Sequence, residues 1–149
     1  MSIRIRRARP SDLDALVALE EASFDHDRVS RAQFRRHLVS ESAAVLVTEE
    51  RGQVLGAALL FFRRGAKAAR LYSIAIAHAA RGQGLGAALL DAAEREARKR
   101  GQRAMRLEVR TDNTPAMMLY EKRGYARRKR EPGFYENGMD AWRYEKPLG

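Results

Sequence analysis

A glycine-rich turn in the middle of the chain constrains the fold more than any other feature. An apolar, β-prone stretch runs into Gly82, Gly84 and Gly86, and an amphipathic helix pattern follows at once. Glycine has no Cβ, so a turn of this kind lets several backbone N–H groups converge. The unpaired amides and positive dipole end of the following helix stabilise an exposed anion by about 0.3–1 kcal/mol. The sequence therefore predicts a strand, a phosphate-binding turn and a helix, in that order.

Hydrophobic periodicity divides the rest of the chain into strands and helices. Alternating or continuous β-prone runs indicate strands, whereas apolar spacings of three and four residues indicate helices. The predicted strands cover residues 3–6, 43–48, 54–62, 69–77, 104–109, 125–130 and 142–145, and the predicted helices cover 13–22, 30–38, 85–100 and 115–122. Short turns join the strands before the glycine-rich turn, which indicates an antiparallel meander. We expect an α/β fold with about seven mostly antiparallel strands and about four helices.

The glycine-rich turn also fits a dinucleotide-binding fingerprint. Gly82, Gly84 and Ala87 have its spacing, and Glu108 in the next predicted strand could bind a ribose. The preceding meander counts against this interpretation, and the part of the chain after Glu108 is too short to complete a doubly wound domain. A Walker loop is excluded because no Gly-Lys-Ser/Thr follows the glycines. A purely structural glycine turn is the remaining alternative.

Composition and charge exclude several classes of protein. The chain lacks cysteine, which excludes disulfides, thiolate metal sites and a cysteine nucleophile. His26, His37 and His78 are too scattered for ordinary ligand spacing, so we expect no metal. No apolar run approaches the ~18 residues that span a bilayer, and we expect a soluble, cytoplasmic protein without a membrane partner. The net charge of +10 is spread along the chain, which favours a basic solvated surface over a nucleic-acid groove.

Several motifs together resemble the GNAT acetyltransferase superfamily. Its coenzyme A signature, Arg or Gln, two residues, Gly, one residue, then Gly or Ala, stands here as Arg81-Gly82-Gln83-Gly84-Leu85-Gly86. The similar stretch runs from about Tyr72 to Tyr125, and it is most like the ribosomal-protein-alanine N-acetyltransferases. The resemblance implies one GNAT domain over residues 1–149, whose sheet is splayed between strands 69–77 and 104–109. It also implies transfer of an acetyl group from acetyl-coenzyme A to an amine.

The resemblance assigns roles to individual residues. The implied cofactor-binding residues are Ile74, Ala75 and Ile76 along the pantetheine arm, Arg81, Gly82, Gln83, Gly84, Leu85, Gly86 and Ala87 around the pyrophosphate, and Asn113 on the cofactor arm. Glu108 corresponds to the proton acceptor, acting directly or through a water, and Tyr120 corresponds to the proton donor. Without the motifs, a solvated Glu108, a core Tyr120 and a helix-capping Asn113 are the ordinary interpretations.

These residue types suit acyl transfer to an amine. The nucleophile must be neutral, and an α-amine with a pKa near 8 is about 10% neutral at pH 7, against ~0.04% for a lysine. A carboxylate can collect the proton of the amine. A tyrosine with a reference pKa near 10 keeps its proton at neutral pH and can donate it to the departing thiolate.

The acceptor follows less directly from the motifs. The alanine acetyltransferases carry a Pro-Trp pair between their first two helices, where this chain has Phe24-Asp25-His26-Asp27. We expect a protein or peptide N-terminal α-amine as acceptor. The alternatives are a lysine side chain, a small-molecule amine, or a non-catalytic module that binds coenzyme A or nucleic acid. Phe134 and Tyr135 either line the acceptor cleft or pack the last hairpin.

Overall fold

A single seven-stranded sheet forms the centre of the computed structural model, which describes residues 3–149. Its strands are β1 (Ile3–Arg7), β2 (Ala43–Glu50), β3 (Gln53–Phe61), β4 (Ala68–Ile76), β5 (Ala104–Arg110), β6 (Ala126–Glu131) and β7 (Ala141–Pro147). Within that range the α-helices are α1 (Leu13–Ser23), α2 (Arg31–His37), α3 (Leu85–Lys99) and α4 (Thr114–Lys122). The predicted α/β class and element order are confirmed. Short 3₁₀ turns at Pro10–Asp12 and His78–Ala80 were not predicted.

The sheet is antiparallel except at one junction. Its strand order is β1-β2-β3-β4-β5-β7-β6, and only β4 and β5 run parallel. These two strands pair over four residues each, 68–71 with 104–107. The remainder of β4 continues to Ile76 without a partner on that side, so the strands separate beyond Leu71. The splay that the family resemblance implies is therefore present at the expected place.

A register shift in β4 lies at the start of this gap. Leu60 pairs with Leu71 and Leu59 pairs with Ser73, which leaves Tyr72 as the extra residue of a bulge. Leu71 packs into the core on the α3 side of the sheet. Ser73 instead faces the space beneath α1. The bulge therefore turns two consecutive residues, Tyr72 and Ser73, toward the side of the sheet that α1 and α2 cover.

Helices pack against both faces of the sheet. On one face α3 buries Leu89 and Leu90 completely against the strands. On the other face α1 and α2 bury Leu16 and Phe34. Each fully buried leucine or phenylalanine contributes about 1.5–3 kcal/mol. Both α1 and α3 contact β4, and α3 also contacts β5, so this packing helps to fix the positions of the two strands.

None of the helices within residues 3–149 is both long enough and apolar enough to cross a membrane. Within the same residues, no group of three or more His, Cys, Asp or Glu side chains could hold a metal ion.

Candidate active site

A cleft of about 540 Å³ opens where β4 and β5 separate. One wall consists of residues 70–74 of β4 and 108–110 of β5. Residues 23–27, from the last residue of α1 into the loop before α2, and residues of the β6–β7 loop around Phe134 complete the lining. The volume lies within the usual range of small-molecule sites. Residues of α4 also line the cleft. The topology thus brings five separate segments of the chain to one concave surface.

The glycine-rich turn leads directly into α3. Gly82 and Gly84 have φ angles of +81° and +78°, a conformation that residues with a Cβ rarely adopt. Gly84 is the residue before the first helical one, and no side chain caps this helix end. Within residues 3–149, no backbone group accepts a hydrogen bond from the amides of 82–87. Free amides at a helix N-terminus can bind an anionic group such as a phosphate.

The structure places the predicted cofactor-binding residues in two groups. Ile74 and Asn113 line the cleft. Ala75 is buried beneath α1, and Ile76 packs against the core on the α3 side. The turn residues Arg81, Gly82, Gln83, Gly84, Leu85, Gly86 and Ala87 lie beyond the carboxyl end of β4 rather than in the cleft wall. Arg81 Nε donates to the Ile76 carbonyl at 3.4 Å and so links the turn to the carboxyl end of β4.

Tyr120 lies on α4 at the inner end of the cleft. Its side chain is 8% exposed, and its ring packs edge-on against Tyr125 with centroids 5.7 Å apart. Burial raises the pKa of Tyr120 well above the ordinary value of 10, with a smaller contribution from Tyr135. The raised pKa favours the protonated phenol at neutral pH. Tyr120 is a core residue, as the ordinary interpretation predicts, and it also lines the cleft; its role as proton donor stays a prediction.

Glu108 is held by two arginines. Arg70 Nε and Nη2 donate to Glu108 Oε1 at 3.0 and 2.9 Å, and Arg143 Nε donates to Oε2 at 3.0 Å. The carboxylate side chain is 5% exposed. A carboxylate has about four lone-pair positions, so roughly one stays available for a further donor. The interpretation of Glu108 as a solvated strand residue is therefore wrong.

Sequence reasoning missed both arginines. Arg143 is the direct cross-strand partner of Glu108 in β7, and Arg70 lies on the other neighbouring strand. Their positions depend on strand order and register, which this sequence does not display. The only local signal was the alternation of charged and apolar residues along these strands.

Asn113 caps α4. Its Oδ1 accepts from the Ala116 amide at 3.2 Å, as the capping interpretation predicted. The residue also lines the cleft. A cap and a contact to a bound molecule are compatible, because capping uses only the side-chain oxygen.

Acidic residues border the cleft on the side of α1. Glu20, Asp25 and Asp27 are part of the cleft lining. Asp27 and Glu136 join the two loops, since the Asp27 amide donates to Glu136 Oε1 at 3.0 Å and the Glu136 amide donates back to the Asp27 carboxylate at 3.3 Å. Beside them, burial raises the pKa of Tyr135 to about 12, with Glu108 as the next cause. Phe134 and Tyr135 both line the cleft, and their rings pack edge-on against each other.

Glu20 was not identified from the sequence as a site residue. It follows Leu19 on α1 and is 5% exposed, an unusual degree of burial for a glutamate. Its Oε2 accepts from the Val29 amide at 2.8 Å. Burial raises the pKa of Glu20, against smaller opposite effects of the Val29 amide and Arg28. A carboxylate beside the apolar positions of an amphipathic helix was the only signal that could have indicated it.

Comparisons with known proteins agree with this geometry. A model of the acetyltransferase (GNAT) family matches residues 12–125. The N-alpha-acetyltransferase of Sulfurisphaera tokodaii is 30% identical over 156 residues, which cover 97% of this chain and 93% of that protein. The crystal structure of the ribosomal-protein-S18-alanine N-acetyltransferase from Escherichia coli has a TM-score of 0.88 at 26% identity and covers 99% of this chain and 95% of that chain. Ard1 from Thermoplasma volcanium has a TM-score of 0.89 at 26% identity, with 100% and 99% covered. The chain therefore belongs to the GNAT acetyltransferase family and is an acetyl-coenzyme A-dependent N-acetyltransferase.

Proposed function

We propose that this enzyme acetylates the N-terminal α-amine of a protein or peptide. The observation that carries the proposal is the cleft, which opens between β4 and β5 with Glu108 and Tyr120 on its walls. Its α1 side carries several carboxylates, and these attract a cationic ammonium group. The relatives named N-alpha-acetyltransferase and alanine N-acetyltransferase support the same acceptor class.

The coenzyme binds along β4 and the glycine-rich turn in this proposal. The amides of residues 82–87 and the N-terminus of α3 hold the pyrophosphate, and Arg81 adds a positive charge. The unpaired backbone of Ile74, Ala75 and Ile76 pairs with the pantetheine arm. Asn113, on the far side of the gap, donates its side-chain amide to the same arm. The free amides and the unpaired half of β4 support this arrangement.

Glu108 and Tyr120 are the proposed catalytic residues. Glu108 accepts a proton from the acceptor nitrogen, directly or through one water, at the lone pair that the two arginines leave available. Tyr120 donates its hydroxyl proton toward the departing sulfur. A free amide of β4 near Ile74 stabilises the charge that develops on the thioester oxygen. The binding of acetyl-coenzyme A supplies the activated acetyl group.

The preference for an α-amine has a physical basis in addition to the relatives. At pH 7 an α-amine is neutral about 250 times more often than a lysine side chain, which follows from pKa values near 8 and 10.4. A site whose proposed proton acceptor is a glutamate gains most from an acceptor amine that is already close to deprotonation.

An acceptor panel tests the proposed function. The purified protein is incubated with acetyl-coenzyme A and either a peptide with a free N-terminus, the same peptide with a blocked N-terminus and a free lysine, or small amines, and free thiol is followed. We expect thiol release only with the free N-terminus. Release only with lysine or small amines would contradict the α-amine assignment. No release with any acceptor, together with salt-sensitive binding of DNA or RNA, would indicate a binding module instead.

A further inference from the structure

A second carboxylate, Glu20, borders the cleft and has no role in the mechanism above. It contacts both the cleft and the small space between α1 and β4. Its Oε2 accepts from the Val29 amide, whereas Oε1 accepts no hydrogen bond from any residue between 3 and 149. Oε1 is also not among the polar atoms of this range that are sealed off without a partner. Buried carboxylates normally satisfy both oxygens, so this oxygen is available to a group that enters the cleft.

The surroundings of Glu20 differ from those of Glu108. Arg28 acts on the Glu20 carboxylate, and Glu20 acts on Tyr72 of β4. The loop after α1 adds three more titratable residues to the lining of the same cleft, Asp25, His26 and Asp27. The Arg28 guanidinium donates to the main-chain carbonyls of Phe24 and Glu21. No guanidinium between residues 3 and 149 therefore forms an ion pair with Glu20, while two of them bind Glu108.

Glu20, Tyr72 and Glu108 all line the same cleft. Burial raises the pKa of Tyr72 and Arg70 lowers it, and the charges of Asp27, Glu20 and Glu108 each raise it further. Tyr72 is the residue that the bulge turns toward α1. An acceptor that enters beside Tyr72 meets Glu20 at the α1 side and Glu108 at the gap between the strands.

The reaction has to remove two protons from the acceptor nitrogen. An α-ammonium group carries three N–H bonds, and the amide product carries one. The N–C bond forms and the C–S bond breaks, and the sulfur takes one proton, which Tyr120 donates and later regains. The net balance is one proton released to solvent. Two bases on the acceptor side allow both deprotonations to occur within the site.

We propose that Glu20 takes the first of these protons, which converts the bound ammonium into the nucleophilic amine, and that Glu108 takes the second after the N–C bond has formed. This inference rests on the proposed function. Glu20 lies on the acceptor side and is free of guanidinium contacts, so it can bind a proton without displacing another donor. Burial raises its pKa, which makes it a stronger base near neutral pH than an exposed glutamate.

The pH dependence of kcat/KM for a free-N-terminus peptide tests this assignment. Glu20→Gln keeps an oxygen that accepts from Val29 but cannot take a proton. At pH 6 only about 1% of an α-amine with a pKa near 8 is neutral, so we expect Glu20→Gln to lose about 100-fold at pH 6. At pH 9 most of the acceptor is already neutral, and we expect a loss within about twofold. Glu108→Gln should lose activity at both pH values, because the second proton must leave at any pH.

Glu21→Gln is the matched control. Glu21 is the next residue on α1, and its exposed side chain does not line the cleft. This variant should follow the wild-type profile. Equal losses of Glu20→Gln at pH 6 and pH 9, or no loss at pH 6, would overturn the assignment. The wild-type rate tests the proposed function, whereas the ratio of variant to wild-type rates at the two pH values tests Glu20.

Glu20→Asp is the second variant. It replaces Glu20→Gln in the test if Glu20→Gln does not fold, which a failure to bind acetyl-coenzyme A would indicate. The shorter carboxylate remains a base but reaches less far into the cleft. We expect a loss at pH 6 that exceeds the loss at pH 9. A loss that is the same at both pH values would contradict the proposal in this variant too.

Discussion

Tyr120 combines two properties that rarely occur together at a surface cleft. Its ring is covered by Tyr125 and the surrounding core, yet the residue lines the cleft. Because burial raises its pKa, the phenol stays protonated on the alkaline side of neutrality. The ionisation of Tyr120 should therefore not limit the rate at alkaline pH up to its ordinary value of 10. The residue serves as a fixed proton donor throughout that range.

Tyr120→Phe should lower kcat by about 10²–10⁴-fold, the usual contribution of a positioned general acid. The Kd for acetyl-coenzyme A should change little, because the ring and its packing remain. Steady-state kinetics and calorimetric titration measure the two quantities.

Tyr125→Phe is the control for this variant. Tyr125 is also buried, but its hydroxyl donates to Glu94 at 2.8 Å, away from the cleft. Its loss should lower the free energy of unfolding by about 1–3 kcal/mol, since Glu94 loses one of its buried hydrogen bonds and keeps those from Lys146 and the ion pair with Arg98. Its kcat should stay near the wild-type value. Full turnover by Tyr120→Phe would remove Tyr120 from the mechanism.

The sequence indicated some site residues and could not indicate others. Glu108, Asn113 and Tyr120 stand in short motifs, and the structure brings all three to the cleft. The guanidinium partners of Glu108 depend on which strands lie beside β5. Glu20 depends on a contact between α1 and the loop at Val29, and such contacts exist only after folding.

At the scale of elements, glycine is required at some positions of the turn and not at others, and the reason is physical. Gly82 and Gly84 adopt positive φ angles, and a Cβ at either position would meet no atom within 4 Å. Their requirement is therefore one of backbone conformation and not of space. Gly86 lies inside α3 without a positive φ, and a Cβ there would lie 3.6 Å from Leu119, an ordinary contact distance.

Gly84→Ala should therefore weaken both stability and cofactor binding. A left-handed conformation costs a residue with a Cβ about 1–2 kcal/mol, and relaxation of the turn would move the amides that face the pyrophosphate. We expect a loss of roughly tenfold in acetyl-coenzyme A affinity, measured by calorimetric titration.

Gly86→Ala is the matched substitution in the same turn. It should keep the affinity and stabilise the helix by up to about 1 kcal/mol, because glycine is a poor residue in a helix. Equal effects of the two alanines on affinity would show that the positive φ at Gly84 is not required for binding.

Periodicity predicted these elements well and their irregularities poorly. The strand and helix ends differ from the predicted ones by one or two residues at most positions, because apolar spacing directly reflects burial. The 3₁₀ turns are too short to show a period. The bulge at Tyr72 has no local marker in the sequence of β4, which contains neither glycine nor proline.

At the scale of the whole molecule, an ion-pair cluster ties the chain start to the sheet. Arg6 of β1 donates to both oxygens of Asp12 at 2.8 and 3.0 Å, and its Nε donates to Glu49 of β2 at 2.8 Å. Asp12 also accepts from the Arg9 amide at 2.7 Å. These contacts connect an edge strand, the segment before α1 and the second strand.

Acid should weaken this cluster. The hydrogen bonds from Arg6, followed by smaller contributions from the Arg9 amide, lower the pKa of Asp12 below 3.8 despite the opposing effect of burial. A carboxylate with a lowered pKa stabilises the fold fully above its ordinary pKa and loses this contribution as the pH falls through the lowered value. We expect the melting temperature to fall below about pH 4.

Asp12→Asn separates this effect from general acid denaturation. It should cost about 1–3 kcal/mol at pH 7, because two donors of Arg6 lose a charged acceptor. Its melting temperature should then depend less on pH than that of the wild type between pH 6 and pH 3. Parallel melting curves over that interval would show that Asp12 does not contribute to acid sensitivity.

A four-residue parallel ladder between β4 and β5 joins the two halves of the sheet. Within residues 3–149 it is the only strand pairing between a first half, β1 to β4, and a second half, β5 to β7, and each half is held by antiparallel neighbours. This seam is the place where we expect amide hydrogens to exchange first. A coenzyme that contacts the turn on one half and Asn113 on the other would bridge the seam, and at 100 times its Kd it would add about 2.7 kcal/mol. The concentration of the coenzyme would then set how often the pairing between β4 and β5 opens.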